Sequence, residues 1–161
     1  MHLRPYTPAD ASPTHDVFRR AIRGTAAADY TPEQVEAWAT VADHDPREWA
    51  RRRAAASTVV AVDEGRVVGF SDTDAGGYID MMFVDPSAGG QGVGRALLEA
   101  VTDAAARAGA TEQTTHASVT ARPFFEHFGF VFVAELHPRP RGVPLASSLL
   151  RRPLLCPSAP A

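Results

Sequence analysis

The chain has 161 residues, of which 45% are hydrophobic and 22% are charged, and its formal net charge is -3 at pH 7. This composition is typical of one soluble globular domain, and the acidic balance argues against a general nucleic-acid or membrane-surface binder. The chain contains no lysine, which excludes a Schiff-base enzyme and a P-loop with its phosphate-binding lysine.

The first part of the chain is predicted to form a short strand followed by three helices. The strand is "HLRPY", and the first helix follows it. A second helix begins after Thr31, because Thr31 and Gln34 have the spacing of a capping box. A third helix covers "DPREWARRRA", and its arginines at 51–53 are expected on a solvated face.

Strands are predicted from residue 57, where β-branched and aromatic residues become frequent. The segments "STVVAVD", "RVVGFSD" and "GYIDMMFV" are separated by short turn sequences, which favours three consecutive antiparallel strands. After a glycine-rich stretch, the segment "VGRALLEAVTDAAARAG" has the pattern of an amphipathic helix that ends at Gly109.

The remaining elements complete a mixed order of strands and helices. They are a strand in "TEQTTHASV", a short helix in "ARPFFEHFG", and strands in "FVFVAEL" and "GVPLASSLL". This order predicts an α/β (α+β) protein with a single domain over residues 1–155 and a tail over 156–161. The N-terminus lacks the apolar core of a signal peptide, and the lone Cys156 excludes an internal disulfide. We therefore expect a cytoplasmic protein.

The glycine-rich stretch places Gly89, Gly90, Gly92 and Gly94 between a predicted strand and a predicted helix. A helix N-terminus has unpaired N–H groups and a partial positive charge, and glycine lets a ligand approach the backbone closely. The stretch therefore fits either a tight turn or a diphosphate site. A Rossmann site is disfavoured, because the glycine spacing differs and the preceding strand ends an antiparallel meander.

Two segments resemble the signatures of the GNAT superfamily of N-acetyltransferases. "FVDPSAGGQGVGRALL" is similar to its acyl-coenzyme A (acyl-CoA) motif, and "SVTARPFFEHFGF" is similar to its second signature. "ADYTPEQVEAWA" also resembles a stretch found in a subgroup of bacterial members, and the element order agrees along nearly the whole chain. The resemblance implies the acyl-CoA N-acyltransferase fold, a mixed, mostly antiparallel sheet that is splayed in the middle, flanked by helices and bound to acetyl-CoA in its cleft.

The resemblance also assigns residues to acetyl-CoA, and it implies no metal. The backbone of Met82, Phe83 and Val84 would bond the pantetheine arm and the acetyl carbonyl. The glycine loop and the first turn of the helix after it would cradle the pyrophosphate, with Ser118 and Phe125 in the second signature. The loop and helix residues are Gly89, Gly90, Gln91, Gly92, Val93, Gly94 and Arg95.

Three residues depart from the family pattern. Gly89 stands where the family usually has arginine or glutamine, and Ser118 replaces an asparagine that often begins the second signature. Phe125 replaces a tyrosine that often serves as general acid, and phenylalanine cannot donate a proton. The coenzyme A thiol has a pKa of roughly 8–9, like a cysteine thiol, so it can leave as a thiolate without a dedicated acid.

Asp80, His116 and Tyr30 are the candidate groups for chemistry on an amine acceptor, which must lose a proton before it attacks. Asp80 interrupts the strand that should line the cleft, and it is either the base or an exposed carboxylate on the other face. His116 titrates in a useful range and is either an auxiliary base or a half-buried strand histidine. Tyr30 would orient the substrate, replace the missing acid or pack on the core.

The sequence therefore predicts an N-acetyltransferase that moves an acetyl group from acetyl-CoA to a primary amine of a small molecule or peptide by direct attack. A non-catalytic acyl-CoA sensor is the alternative, and Phe125 and Ser118 favour it slightly. A resistance or toxin-like acetyltransferase would require an acidic acceptor pocket. No nucleic-acid or membrane partner is expected, and assembly as a homodimer is left open.

Overall fold

The structure is a computed structural model that describes residues 1–43 and 45–154, and these residues form eight strands and five α-helices. The strands are β1 (His2–Pro5), β2 (Ser57–Asp63), β3 (Arg66–Thr73), β4 (Tyr78–Ile79), β5 (Met82–Val84), β6 (Glu112–Ser118), β7 (Val131–Leu136) and β8 (Ser147–Pro153). The helices are α1 (Ala11–Gly24), α2 (Pro32–Ala39), α3 (Pro46–Ala55), α4 (Val93–Arg107) and α5 (Arg122–His127).

The strands form two four-stranded sheets that diverge at the centre of the molecule. The first sheet has the order β1-β2-β3-β5 and is antiparallel throughout. The second has the order β4-β6-β8-β7, in which β4 and β6 are parallel and the other pairs are antiparallel. The predicted fold class, a mixed and mostly antiparallel splayed sheet flanked by helices, is confirmed.

The predicted single strand over "GYIDMMFV" is wrong, because the chain changes sheet in its middle. Tyr78 and Ile79 pair with β6, whereas Met82–Val84 pairs with β3. Met81 lies at the crossing, where its N–H donates to Oδ1 of Asp72 at 2.9 Å and its carbonyl accepts from the Asp72 N–H at 3.0 Å. The Asp72 side chain thus accepts a hydrogen bond that a backbone carbonyl would accept in a regular ladder. The strand is interrupted at this point.

The C-terminal part of the chain also differs from the prediction. The last strand begins at Ser147 rather than near Gly142, since Pro140–Gly142 forms a 3-10 turn and Pro144 has no N–H to give to a ladder. The predicted domain end at residue 155, the tail over 156–161 and the lone Cys156 lie outside the described residues.

The helices start where their sequences indicate. Thr31 and Gln34 form the predicted capping box, in which the Gln34 N–H donates to Thr31 Oγ1 at 3.2 Å and the Thr31 N–H donates to Gln34 Oε1 at 2.9 Å. Asp45 caps α3 by accepting from two backbone N–H groups. These local bonds satisfy donors that have no partner within the helix.

Each sheet has its own apolar layer. Phe18, Trp49 and Phe70 pack between the N-terminal helices and the first sheet, with a Phe18–Trp49 centroid distance of 5.1 Å. Leu98 of α4 and Phe125 of α5 pack on the second sheet. Helix α4 also packs on the first sheet through Val93 and Leu97, so it bridges the two layers beside the line along which the sheets part.

Candidate active site

A cavity of about 270 Å³ lies along the line where the two sheets part. On one side it is bounded by β5 and on the other by β6, with Gly94 of α4 and residues of α5 closing one end. Its lining includes Trp38, Asp80, Met82, Phe83, Val84, Asp85, Gly89, Gly94, Thr115, His116, Ala117, Ser118, Thr120, Ala121, Phe124 and Phe125. The strand interruption is therefore what opens the site.

The edge of β5 directs backbone groups into this cavity. Met81 bonds to Asp72 on the β3 side, and the Asp85 N–H donates to the Val68 carbonyl at 2.8 Å, also toward β3. Backbone groups alternate in direction along an antiparallel strand. The N–H and carbonyl groups of Met82 and Val84 consequently point away from β3, toward the cleft.

The glycine loop joins β5 to α4 through a 3-10 turn at Pro86–Ala88. Asp85 anchors the turn, since its Oδ1 accepts from the Ser87 N–H at 3.0 Å and its Oδ2 accepts from Arg20 at 2.7 Å. Burial alone would raise the pKa of Asp85, but the hydrogen bonds from Ser87 and Arg20 together lower it. The loop is thus held to α1 by a carboxylate that stays ionised.

Gly92 is the residue that lets this loop turn into α4. Its φ of 80° lies in the left-handed region, and α4 begins at the next residue. Among the described residues, none accepts a hydrogen bond from the N–H groups of residues 90–95, whereas the Ala96 N–H already donates to the Gly92 carbonyl at 3.0 Å. Six successive donors therefore remain available at the start of a 15-residue helix.

The other loop residues named from the sequence have separate roles. The Gly89 N–H donates to the Pro86 carbonyl within the turn. Gly89 therefore lines the cavity but has no free N–H for a ligand. The Gln91 side chain donates to the Ser87 carbonyl at 3.1 Å. Val93 is buried, and the Arg95 guanidinium is paired with Glu99 at 2.8 Å. Each of these two residues can therefore offer a ligand its backbone N–H rather than a free side chain.

Gly94 allows α4 to approach α5 closely. A Cβ on Gly94 would lie 3.3 Å from the Phe124 ring, which is tighter than ordinary packing. Phe125 is buried in the second apolar layer and also faces the cavity. Ser118 Oγ accepts from the Ala121 N–H at 3.0 Å, so this hydroxyl supports the turn into α5.

Asp80 lies in the segment that changes sheet, with its side chain 27% exposed. Its Oδ2 accepts from Arg53 Nη2 at 2.8 Å and from Arg52 Nη2 at 3.3 Å. In the part of the chain that the structure describes, Oδ1 has no hydrogen-bond donor. The carboxylate is thus fixed through one oxygen while the other is left for a ligand in the cavity.

His116 lines the cavity, and Tyr78 packs against it from outside the lining. The two rings meet edge-on at a centroid distance of 5.4 Å. Burial raises the pKa of Tyr78, and the neighbouring carboxylates of Asp80 and Asp72 raise it further. The Tyr78 hydroxyl therefore stays protonated at neutral pH.

Tyr30 lies just before α2, next to the cavity-lining residues Trp38 and Ser118. Its hydroxyl accepts from the Val119 N–H at 2.8 Å and donates to the Ala146 carbonyl at 2.7 Å. Burial raises the pKa of this phenol, and the residue is absent from the cavity lining. These bonds tie the end of β6 to the segment before β8, which favours the packing alternative for Tyr30 over a role in proton transfer.

Two charged residues that the sequence did not single out lie behind Asp80. Arg53 and Asp72 are 2% and 1% exposed, and Arg53 Nε lies 2.7 Å from Asp72 Oδ2. The prediction that the arginines at 51–53 face solvent is wrong for Arg53, because it turns under Trp49 toward two carboxylates. The strand "RVVGFSDT" is buried on both faces. An alternation of buried and exposed positions along it therefore could not have indicated that Asp72 is buried.

Two negative findings concern the described residues only. They contain no group of three or more histidine, cysteine, aspartate or glutamate side chains placed to hold a metal ion. Within the same residues, no helix has the length and apolar character needed to cross a membrane.

A strand split between two sheets, a glycine loop with free N–H groups at a helix start and a polar cavity end define the acyl-CoA N-acyltransferase class. Residues 26–145 match the family model described as an acetyltransferase (GNAT) domain. The chain therefore belongs to the GNAT acetyltransferase family, and the resemblance found in the sequence is confirmed.

Individual relatives agree with this assignment. The chain is 36% identical over 142 residues to the uncharacterized N-acetyltransferase YafP of Escherichia coli K12, which covers 88% of this chain and 89% of the relative. A crystal structure from Rhodopseudomonas palustris described as a GCN5-related N-acetyltransferase has a TM-score of 0.91 at 36% identity, covering 95% of each chain.

A more distant structure shows the same fold. The acetyltransferase yncA from Salmonella typhimurium, solved with its cofactor acetyl-CoA, has a TM-score of 0.69 at 20% identity. The match covers 100% of this chain and 98% of that one.

Proposed function

We propose that this protein transfers an acetyl group from acetyl-CoA to a primary amine of a small molecule or peptide by direct attack. The observation that carries the proposal is the cavity itself. It joins a backbone edge and a glycine loop, which suit a thioester with a diphosphate arm, to a carboxylate with one open oxygen.

The cosubstrate end of the cavity would be served mainly by backbone groups. The N–H groups of residues 90–95 would hold the diphosphate, since they have no acceptor among the described residues and lie at a helix N-terminus. The cleft-facing groups of Met82 and Val84 would bond the pantetheine arm and the acetyl carbonyl. The acetyl thioester supplies the activated acyl group.

The acceptor end of the cavity would be served by Asp80, with His116 as an auxiliary group. An ammonium ion would be attracted to the open Oδ1 of Asp80 and would give up a proton to it, directly or through water. After the attack, the nitrogen would release its second proton to solvent water as the thiolate leaves. Arg52 and Arg53 hold the other oxygen, so the carboxylate keeps one orientation without moving toward the substrate.

The leaving thiol would depart without a proton donor from α5. Phe125 is buried among apolar side chains and carries no proton to give. A thiol with a pKa of roughly 8–9 leaves as a thiolate at moderately alkaline pH, so catalysis remains feasible.

The experiment that tests the proposal is a screen for free thiol released from acetyl-CoA with single amines, amino acids, aminoglycosides and peptides. We expect thiol release to depend on one class of amine, with an acetylated product of matching mass. Binding of acetyl-CoA without amine-dependent thiol release would reject the enzyme and favour the non-catalytic sensor, the alternative that Phe125 supports.

A further inference from the structure

A chain of buried charges runs from the first sheet to Asp80. One guanidinium, that of Arg53, spans two carboxylates, with Nε 2.7 Å from Asp72 Oδ2 and Nη2 2.8 Å from Asp80 Oδ2. Arg53 and Asp72 are almost completely buried, whereas Asp80 reaches the cavity. Charges are rarely buried at such positions unless they are paired, because removing them from water is costly.

The packing around Arg53 leaves it one geometry. Its guanidinium carbon lies 5.0 Å from the centre of the Trp49 ring, a cation–π distance, and its carbonyl accepts from Thr58 Oγ1 at 2.6 Å. The Thr58 bond holds the Arg53 backbone, and the guanidinium cannot move to another partner without losing its contacts with Trp49 and the two carboxylates. The position of Asp80 Oδ2 depends on this fixed donor.

Asp72 also fixes the backbone that carries Asp80. Its Oδ1 accepts from the Met81 N–H at 2.9 Å, and its own N–H donates to the Met81 carbonyl at 3.0 Å. Ser71 Oγ adds a bond of 2.9 Å to the same carbonyl. The residue directly after Asp80 is thus clamped by β3 through three hydrogen bonds.

We infer that Asp72 is a positioning residue for the transfer reaction, holding Asp80 at the strand crossing through Arg53 on one side and the Met81 amide on the other. The inference rests on the proposed role of Asp80 as proton acceptor. Asp72 does not touch the substrate, since it is absent from the residues that line the cavity. Its effect on the reaction passes entirely through Asp80.

The charges around Asp72 make this positioning sensitive to pH. Burial raises the pKa of Asp72 to about 6, against the attraction of Arg53 and the hydrogen bond from Met81. Of the other charged or titratable groups, Asp80 acts directly on Asp72, Tyr78 lies near both carboxylates, and Tyr6 lies near Arg53. When Asp72 takes up a proton, Arg53 keeps Asp80 as the one anionic partner of the two carboxylates it spans.

The test is a double-mutant cycle on kcat with Asp72→Asn, Asp80→Asn and the double variant, using the amine that gives the highest rate in the screen. We expect Asp72→Asn to lower kcat at least tenfold with the Kd for acetyl-CoA within twofold, and to cause no further loss in the Asp80→Asn background. The control is Asp63→Asn, which changes a half-buried carboxylate at the end of β2 that pairs with the N-terminal amine at 2.8 Å, and it should leave kcat unchanged.

The double-mutant cycle distinguishes a failure of the Asp72 inference from a failure of Asp80 as the proposed base. If Asp80→Asn lowers kcat and Asp72→Asn lowers it by the same factor in both backgrounds, Asp72 acts independently of Asp80 and the inference is overturned alone. If Asp80→Asn leaves kcat unchanged, the proposed base is wrong and the inference falls with it.

A second measurement needs neither activity nor a stable variant. The Met81 amide donates to Asp72, so its proton and nitrogen chemical shifts in the unaltered protein should titrate with a midpoint near pH 6. The amide of Asp85, which donates to a backbone carbonyl, is the internal reference. A Met81 amide whose shifts stay flat between pH 5 and 8 would overturn the pH sensitivity of this positioning even if the enzyme is active.

Discussion

At the scale of single residues, the site depends on how each carboxylate is paired. Asp80 lines the cavity, and it has one oxygen bound by Arg52 and Arg53 and the other without a hydrogen-bond donor among the described residues. Asp72 has both oxygens engaged in the interior. Two aspartates eight positions apart in the sequence thus have different roles, one toward the ligand and one toward the fold.

Replacing the open carboxylate tests the proposed base. Asp80→Asn keeps the size of the side chain but removes its basicity, so we expect kcat to fall by about 10²-fold or more while acetyl-CoA binding changes little. His116→Ala should cost less. The measurement is the rate of thiol release between pH 6 and 9, together with calorimetry for binding.

The control for this prediction is Asp103→Asn, which alters an exposed aspartate of α4 and should leave the rate unchanged. If His116→Ala abolishes the rate and Asp80→Asn does not, the two roles are inverted. If neither variant matters, Tyr78 becomes the next residue to test.

The buried carboxylate predicts a pH dependence of stability. Burial raises the pKa of Asp72 from 3.8 to about 6, so between these values the folded protein keeps a proton that the unfolded chain has lost. Unfolding then releases a proton, and the contribution of Asp72 to the free energy of unfolding falls as pH rises from about 4 to about 6. Two pKa units correspond to roughly 3 kcal/mol, an upper bound here.

This contribution is isolated by comparing Asp72→Asn with the unaltered protein. Asn cannot titrate, so we expect the difference in free energy of unfolding to shift in favour of the variant by about 2 kcal/mol between pH 4 and 7. Urea unfolding at both pH values measures it. A difference that stays constant with pH would show that Asp72 has the same pKa in both states.

At the scale of elements, the loop before α4 combines a backbone requirement with a binding surface. Gly92 has a φ of 80°, and a Cβ there would meet no atom within 4 Å. A side chain at residue 92 would therefore fit sterically but would strain the backbone. Any ligand held by the N–H groups of residues 90–95 would meet that side chain directly.

Gly92→Val is therefore expected to lower the affinity for acetyl-CoA more than tenfold while the protein remains folded. Gly65→Val is the matched control, because Gly65 has a φ of 77°, has equally open surroundings and lies in the β2–β3 turn. Both variants should lose similar stability, and only the first should lose affinity in calorimetric titrations. Equal affinities would leave the loop as a turn without a binding role.

At the scale of the whole molecule, the cleft lies between two apolar layers that are joined by the split strand and by α4, which packs on both sheets. A ligand that contacts β5, α4 and α5 together would connect these layers and bind the folded state alone. Acetyl-CoA at 100 times its Kd should then stabilise the protein by about 2.7 kcal/mol through mass action.

The expected readout is a rise in melting temperature of roughly 5–10 °C for a chain of this size. Scanning calorimetry with increasing acetyl-CoA measures it, and Gly92→Val should show a smaller rise at the same concentration. No shift at millimolar acetyl-CoA, with no heat of binding, would reject acetyl-CoA as the ligand.

Local features of the fold could be predicted from the sequence because they are set by residues close together in the chain. The Thr31–Gln34 capping box, the glycines before α4 and the runs of β-branched and aromatic residues in the strands all depend on neighbours within a few positions. The two signature segments predicted the glycine loop before α4 for the same reason. Fold class, family and the glycine loop were therefore predicted by the sequence.

Only the tertiary structure decided which distant residues meet. Arg53 was expected to face solvent. It instead pairs with Asp72 and with Asp80, and Asp80 lies 27 residues further along the chain. Tyr30 was a candidate for chemistry, but its hydroxyl bonds to Val119 and Ala146, 89 and 116 residues away. Burial and pairing of this kind arise when separate elements pack together, so the periodicity of any one element cannot reveal them.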